Sequence, residues 1–73
     1  MKKPKTLIAR GITGTYSWIP EEDIFYGTLD LEGDLVTFMG YTVEEVEAGF
    51  TEMVDEYYDL CEEVGKSPKI KKL

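Results

Sequence analysis

Carboxylates are the side chains through which this sequence could do chemistry. The chain has no histidine, which removes the commonest general base and metal ligand of proteins. Asp30, Glu32 and Asp34 alternate around Gly33, and this spacing resembles the start of a calcium-binding loop. Such a loop needs a glutamate at its twelfth position, which counted from Asp30 is Tyr41. We therefore expect a solvated turn and no bound metal.

The single cysteine, Cys61, is a poor candidate for a nucleophile. It has no histidine and no second cysteine to activate it, and its place on an apolar helical stripe favours a reduced thiol in the core. Gly11 and Gly14 lack the following helix that a phosphate-binding loop needs. The sequence thus predicts no enzyme and no cofactor, and a metal-dependent hydrolase built on clustered carboxylates is kept as an alternative.

Charge is segregated along the chain. The formal net charge is −7, and all eight basic residues lie within 2–10 or 66–72, whereas all fifteen acids lie within 21–63. Such a field repels nucleic acid and attracts basic partners, and it also promotes solubility. The aromatic residues on the predicted strands have no basic neighbours, so base stacking is not expected. We predict no direct binding of nucleic acid.

The acids are densest in "TVEEVEAGFTEMVDEYYDLCEEVG", residues 42–65, where every charged side chain is a carboxylate. Thr42 and Glu45 form a capping box and Gly65 suits the position after a helix, so a helix is predicted over 43–64. Like charges four residues apart cost roughly a few tenths of a kcal/mol per pair, so helix stability does not explain the pattern. We predict that these acids meet a basic partner. The candidate partner-binding residues, which include two aromatic side chains of the strands, are Glu52, Glu56, Asp59, Glu63, Trp18 and Tyr26.

Alternating side chains upstream of the helix predict an antiparallel meander. Short polar links, "PEED" and "EGD", separate the apolar runs, and such links join antiparallel strands. The predicted strands are 11–19, 24–32 and 35–40. The expected fold is α+β, a three-stranded antiparallel sheet with one long C-terminal helix packed on one face. The predicted core consists of Val43, Val46, Phe50, Val54, Tyr57 and Cys61 against sheet residues drawn from Tyr16, Leu29, Val36 and Phe38.

At 73 residues the chain is predicted to form one domain, 1–73, with the ends 1–8 and 67–73 loosely ordered. No apolar run approaches the roughly 20 residues of a membrane span, and no signal-peptide core is present, so a cytoplasmic protein is expected. The predicted sheet leaves two edges and one face free. Trp18, Ile24 and Tyr26 could form an apolar patch there, and we expect a homodimer formed by edge pairing or by face packing.

The order of motifs in residues 15–70 is distinctive. A Tyr-Ser strand end precedes the acidic turn, "IFYG" opens the second strand, "DLVTFMGYTVEEV" crosses into the helix, and "EEVGKSP" closes it. In this order the motifs resemble the N-terminal domain of HicB-type antitoxins. The resemblance implies a β-β-β-α module, a partial ribonuclease-H-like fold that sometimes adds a short strand after the helix, and it implies no catalysis.

The same resemblance implies a function. Antitoxins of this type bind a small basic toxin that cleaves mRNA and so keep it from RNA. Many carry a C-terminal DNA-binding domain, whereas this sequence ends at "SPKIKKL", and we expect a short form without that domain. The predicted function is a HicB-like module that neutralises a small basic toxin through an acidic surface. The alternative is a stand-alone, self-associating protein of the same fold without a toxin.

Overall fold

The computed structural model describes residues 4–70 and shows an antiparallel sheet with a helix on one face. Within that range the elements are β1 (Lys5–Ala9), β2 (Ile12–Ile19), β3 (Ile24–Leu29), β4 (Thr37–Gly40) and α1 (Val43–Val64). The strands lie in the order β1-β2-β3-β4, and every neighbouring pair is antiparallel. The predicted α+β class, antiparallel sheet and C-terminal helix are confirmed.

The predicted number of strands was wrong, because the sheet has four strands and not three. The additional strand, β1, overlaps segment 1–8, which was expected to be loosely ordered; residues 1–3 lie outside the described part. Arg10 and Gly11 join β1 to β2 in a two-residue turn, with φ values of 51° and 83°. Positive φ at both positions is the geometry of a type I′ hairpin turn. An arginine at the first of these positions is not the usual hairpin signal, so the sequence did not reveal the strand.

The segment after α1 returns to the sheet. The predicted second strand, 24–32, ends at Leu29, and beyond it Leu31 forms an isolated antiparallel bridge with Ile70. The Glu32 amide donates a hydrogen bond to the Lys69 carbonyl at 2.7 Å. Lys69 and Ile70 of segment 67–73 are therefore paired with the chain after β3, while residues 71–73 lie outside the described range.

The core lies between α1 and the inner face of the sheet. Val43, predicted to be buried, is 48% exposed, because it stands in the first helical turn just beyond the end of β4. Ile12, which was not among the predicted core residues, is completely buried. The buried hydrophobic residues are Ile12, Tyr16, Leu29, Phe38, Val46, Phe50, Val54, Tyr57 and Cys61.

A polar cluster ties the C-terminal segment to the loop between β3 and β4. The Tyr57 hydroxyl donates a hydrogen bond to Asp34 at 2.8 Å and accepts one from the Lys69 amide at 2.8 Å. The Lys66 ammonium also donates to Asp34 at 2.8 Å. Burial raises the pKa of Tyr57 to about 12. The hydrogen bond from Lys66 lowers the pKa of Asp34, and Asp34 in turn raises the pKa of Lys66.

Tyr57→Phe is expected to lower the free energy of unfolding by about 1–2 kcal/mol, because the Lys69 amide and Asp34 each lose a partner while the ring stays in the core. The folded pKa of about 12 lies above the ordinary value of 10.0, so Tyr57 supports the fold below pH 10 and this support is lost between pH 10 and 12. Urea titrations across this range should show a shallower alkaline decline in the variant. Equal declines in both proteins would contradict the assignment.

Candidate functional site

The four candidate acids of α1 form one exposed row. Glu52, Glu56, Asp59 and Glu63 follow one another at spacings of four, three and four residues, so they share one helix face. All four side chains are exposed. Within residues 4–70 none of them pairs with a cation or accepts a side-chain hydrogen bond. We call these four residues the acidic row.

Two basic residues near the ends of the described range, Arg10 and Lys66, are engaged with acids outside the row. The Arg10 guanidinium lies 2.8 Å from the Asp55 carboxylate and stacks over the Tyr58 ring, 4.3 Å from its centroid. Lys66 lies 2.8 Å from Asp34. These pairs anchor the first hairpin and the C-terminal segment to the rest of the fold. They leave the acidic row available to a partner.

Trp18 and Tyr26, the two candidate aromatic residues, lie on opposite faces of the sheet. Trp18 pairs with Phe25 across the strands, and their ring centroids are 4.8 Å apart on the face that carries α1. Tyr26 points to the open face, where it is 40% exposed. The single patch expected from Trp18, Ile24 and Tyr26 therefore does not form. A shallow hollow on the open face is instead lined by Ile19, Glu22, Ile24, Tyr26 and Met39.

A groove between α1 and β4 runs beside the acidic row. It consists of two hollows of about 230 and 280 Å³ that share Met53. We call it the α1–β4 groove, and its lining residues are Val36, Thr37, Phe38, Met39, Gly49, Glu52, Met53, Glu56, Tyr57 and Leu60. The sequence analysis did not identify this groove, which depends on the apolar side chains of Met53 and Leu60 beside β4. Their position next to Glu52 and Glu56 was the available signal.

Two of the three carboxylates that resembled a calcium loop, Asp30 and Asp34, take part in structural contacts. Asp30 accepts a hydrogen bond from the Thr13 hydroxyl at 2.7 Å, and Asp34 binds Tyr57 and Lys66. Among the residues that the structure describes, no three histidine, cysteine, aspartate or glutamate side chains form a group that could hold a metal ion. Cys61 is buried.

Comparison with protein-family models, with curated proteins and with solved structures finds no match for this chain. In residues 4–70 no helix has both the length and the apolar character to cross a membrane. The surface features with a capacity for recognition are thus the acidic row, the groove beside it and the open face of the sheet. Each suits a protein partner through charge or apolar area.

Proposed function

We propose that this chain is a non-catalytic, HicB-like antitoxin module that binds a small basic mRNA-cleaving toxin through the acidic row. The observation that carries the proposal is the row itself, whose four exposed carboxylates on one helix face have no cationic partner within residues 4–70. The order of motifs over residues 15–70, which resembles HicB-type antitoxins, supports the choice of partner.

Electrostatics connects the row to such a partner. A toxin that binds RNA presents basic side chains to the phosphates of the RNA. Carboxylates that lie where these phosphates would lie compete with the RNA for the same basic surface. Complementary charge of this kind speeds association and selects the partner more than it adds affinity. Repulsion within the row, roughly a few tenths of a kcal/mol per pair in the free helix, is relieved in the complex. The encounter would take place in the cytoplasm, where the mRNA is.

The test of this function starts from the native host. A basic open reading frame beside this gene, with a histidine and a double-stranded-RNA-binding pattern, is expressed with and without the chain. We expect growth arrest and mRNA cleavage from the basic protein alone and relief of both on co-expression, with a purified complex that dissociates as salt is raised. Absence of such a reading frame, or toxicity that co-expression leaves unchanged, would contradict the proposal.

Self-association is a second candidate, favoured by the outer edge of β1, with which no other strand of residues 4–70 pairs. Ala9 and Ile12 close the two-residue turn as a hydrogen-bonded pair. Because hydrogen-bonded and non-hydrogen-bonded pairs alternate along antiparallel strands, the backbone N–H and C=O groups of Thr6 and Ile8 point away from β2, toward the outer edge of β1. The Ile8 side chain is 71% exposed. An exposed edge with an apolar residue is a template for strand pairing. A homodimer through β1 would join two sheets into one.

The homodimer should be visible by sedimentation at concentrations on the order of tens of micromolar. Ile8→Lys should give a folded monomer, because a lysine on an edge strand opposes pairing. Leu35→Lys, at a site that is 80% exposed in the loop before β4, adds the same charge and should leave the dimer intact. A monomeric native chain, or equal effects of the two lysines, would rule out pairing through β1.

A further inference from the structure

We propose that the α1–β4 groove receives a basic, amphipathic α-helix of the partner. This inference rests on the proposed function and sharpens it, because it names the element that the acidic row and the groove recognise together. Two features of the groove determine the occupant, namely an apolar floor and charge along a single wall.

The floor of the groove is apolar and accessible. Leu60 is 48% exposed, and Met53 is partly buried where the two hollows meet. Met39 borders the groove with its backbone beside Gly49, because its side chain lies with Tyr26 on the open face of the sheet. Exposed apolar area beside charged residues is typical of protein-interaction sites. Methionine side chains are flexible and polarizable, so the floor can adapt to a large apolar side chain.

The charge of the groove lies on its helical wall. Glu52 and Glu56 line the groove, and Asp59 and Glu63 continue the acidic row beyond it. The opposite wall, β4, has the sequence "TFMG" and no charge. An occupant that complements both walls carries lysine or arginine along one flank and apolar side chains toward the floor. That distribution of residues is amphipathic.

The geometry of β4 favours a helix over an added strand. The Leu29 amide donates a hydrogen bond to the Val36 carbonyl at 2.9 Å, so Leu29 and Val36 are a hydrogen-bonded pair. Hydrogen-bonded and non-hydrogen-bonded pairs alternate along antiparallel strands, so the backbone N–H and C=O groups of Thr37 and Met39 point away from β3, toward the outer edge of β4. Helix α1 approaches this edge closely, since a Cβ atom at Gly49 would lie only 3.2 Å from the Met39 carbonyl oxygen. The edge is therefore covered at Met39, and the occupant must dock through side chains.

The length of the groove also fits a helix. From Gly49 to Leu60 the wall of α1 extends roughly 16 Å at about 1.5 Å per residue, which equals about three helical turns. A helix of that length presents apolar residues at spacings of three and four along one stripe. Such a stripe can follow the floor from Gly49 past Met53 to Leu60.

The probe for this proposal is a synthetic peptide of about 18 residues built from leucine and lysine, with the leucines at helical spacing. The control peptide has the same composition with leucine and lysine alternating. Fluorescence anisotropy at low salt should show the helical peptide binding at least roughly tenfold more tightly than the alternating one. Amide chemical-shift changes should centre on Gly49, Met53 and Leu60.

Variants of the chain locate the binding site. Leu60→Gln and Met53→Gln should each weaken the binding of the helical peptide by roughly tenfold, because each removes apolar contact with the floor of the groove. Val43→Gln is the matched control, since Val43 is also 48% exposed but lies outside the lining of the groove. It should leave the affinity unchanged. Circular dichroism confirms that all three variants are folded.

The possible failures can be told apart. If neutralising the acidic row weakens the binding of both peptides while Leu60→Gln and Met53→Gln change nothing, the groove is not the binding site and the proposed function stands. Equal affinity for the two peptides overturns the helical occupant. If Leu60→Gln instead converts a dimer into a monomer, the groove is filled by a second copy and the inference is wrong. If neither peptide binds at low salt, the inference is wrong, while the toxin co-expression test still decides the proposed function.

Discussion

Phe50→Ala is expected to lower the free energy of unfolding by about 3–5 kcal/mol and so to unfold most of the protein. Phe50 is 2% exposed, and its ring packs edge-on against Phe38 with the centroids 5.3 Å apart. On the other side it fills the space above Gly14, where a Cβ atom would come within 2.6 Å of the ring. No smaller side chain reaches both strands, so truncation leaves a cavity between helix and sheet.

The size of this effect matters because the chain is small. A core in a domain of 73 residues supplies only about 3–5 kcal/mol of net stability, which is the cost expected for the substitution. Far-UV circular dichroism with urea titration measures the loss. Val43→Ala is the control, and its loss should be below about 1 kcal/mol because Val43 is half exposed. A Phe50→Ala variant that stays cooperative and loses less than about 1.5 kcal/mol would contradict the packing described above.

The bounds of the helix could be predicted because local chemistry determines them. The Thr42 hydroxyl accepts a hydrogen bond from the Glu45 amide at 3.1 Å, and the Glu45 carboxylate accepts one from the Tyr41 amide at 2.9 Å. Gly65 adopts the left-handed conformation with φ of 73° and caps the C-terminus. Each of these signals lies within a few residues of the helix end that it determines, so the sequence alone was sufficient.

The fourth strand and the groove depend on contacts that the sequence does not display locally. β1 pairs with β2 because Arg10 adopts a positive φ value and Ala9 pairs with Ile12, and neither feature can be read from the sequence. The face occupied by Trp18 depends on its register with Phe25, and a shift of one residue would turn it outward. The groove exists because α1 crosses the sheet beside β4, a relation set by tertiary packing. The acids of the row were predictable, but not the apolar floor beside them.

Neutralising the acidic row is expected to have two separate effects, one on stability and one on association with the toxin. Neutralising it with Glu52→Gln, Glu56→Gln, Asp59→Asn and Glu63→Gln removes like-charge repulsion, so the free protein should gain about 0.5–1.5 kcal/mol of stability. This gain is also expected if the acids only provide solubility. The rate of association with the basic toxin distinguishes a binding surface from a solubilising one, because the acids speed association only if they form the surface that meets the toxin.

A control variant separates the position of the charges from their number. Four exposed acids outside the row change the net charge by the same amount when they are neutralised. This control carries Glu21→Gln, Asp23→Asn, Glu32→Gln and Glu44→Gln. If the row is the binding surface, the control should associate almost as fast as the native chain, because charges away from the contact are largely screened beyond roughly 10 Å at 0.1 M salt.

The association rate with the basic toxin, followed by stopped flow across a range of salt concentrations, tests the central claim most directly. We expect a steep fall of the native rate with salt, a rate for the neutralised row that is slower by roughly tenfold or more in low salt, and a flatter salt dependence for that variant. The control variant should behave like the native chain. An unchanged low-salt rate for the neutralised row, or an equal loss in both variants, would show that the row is not the surface that meets the toxin.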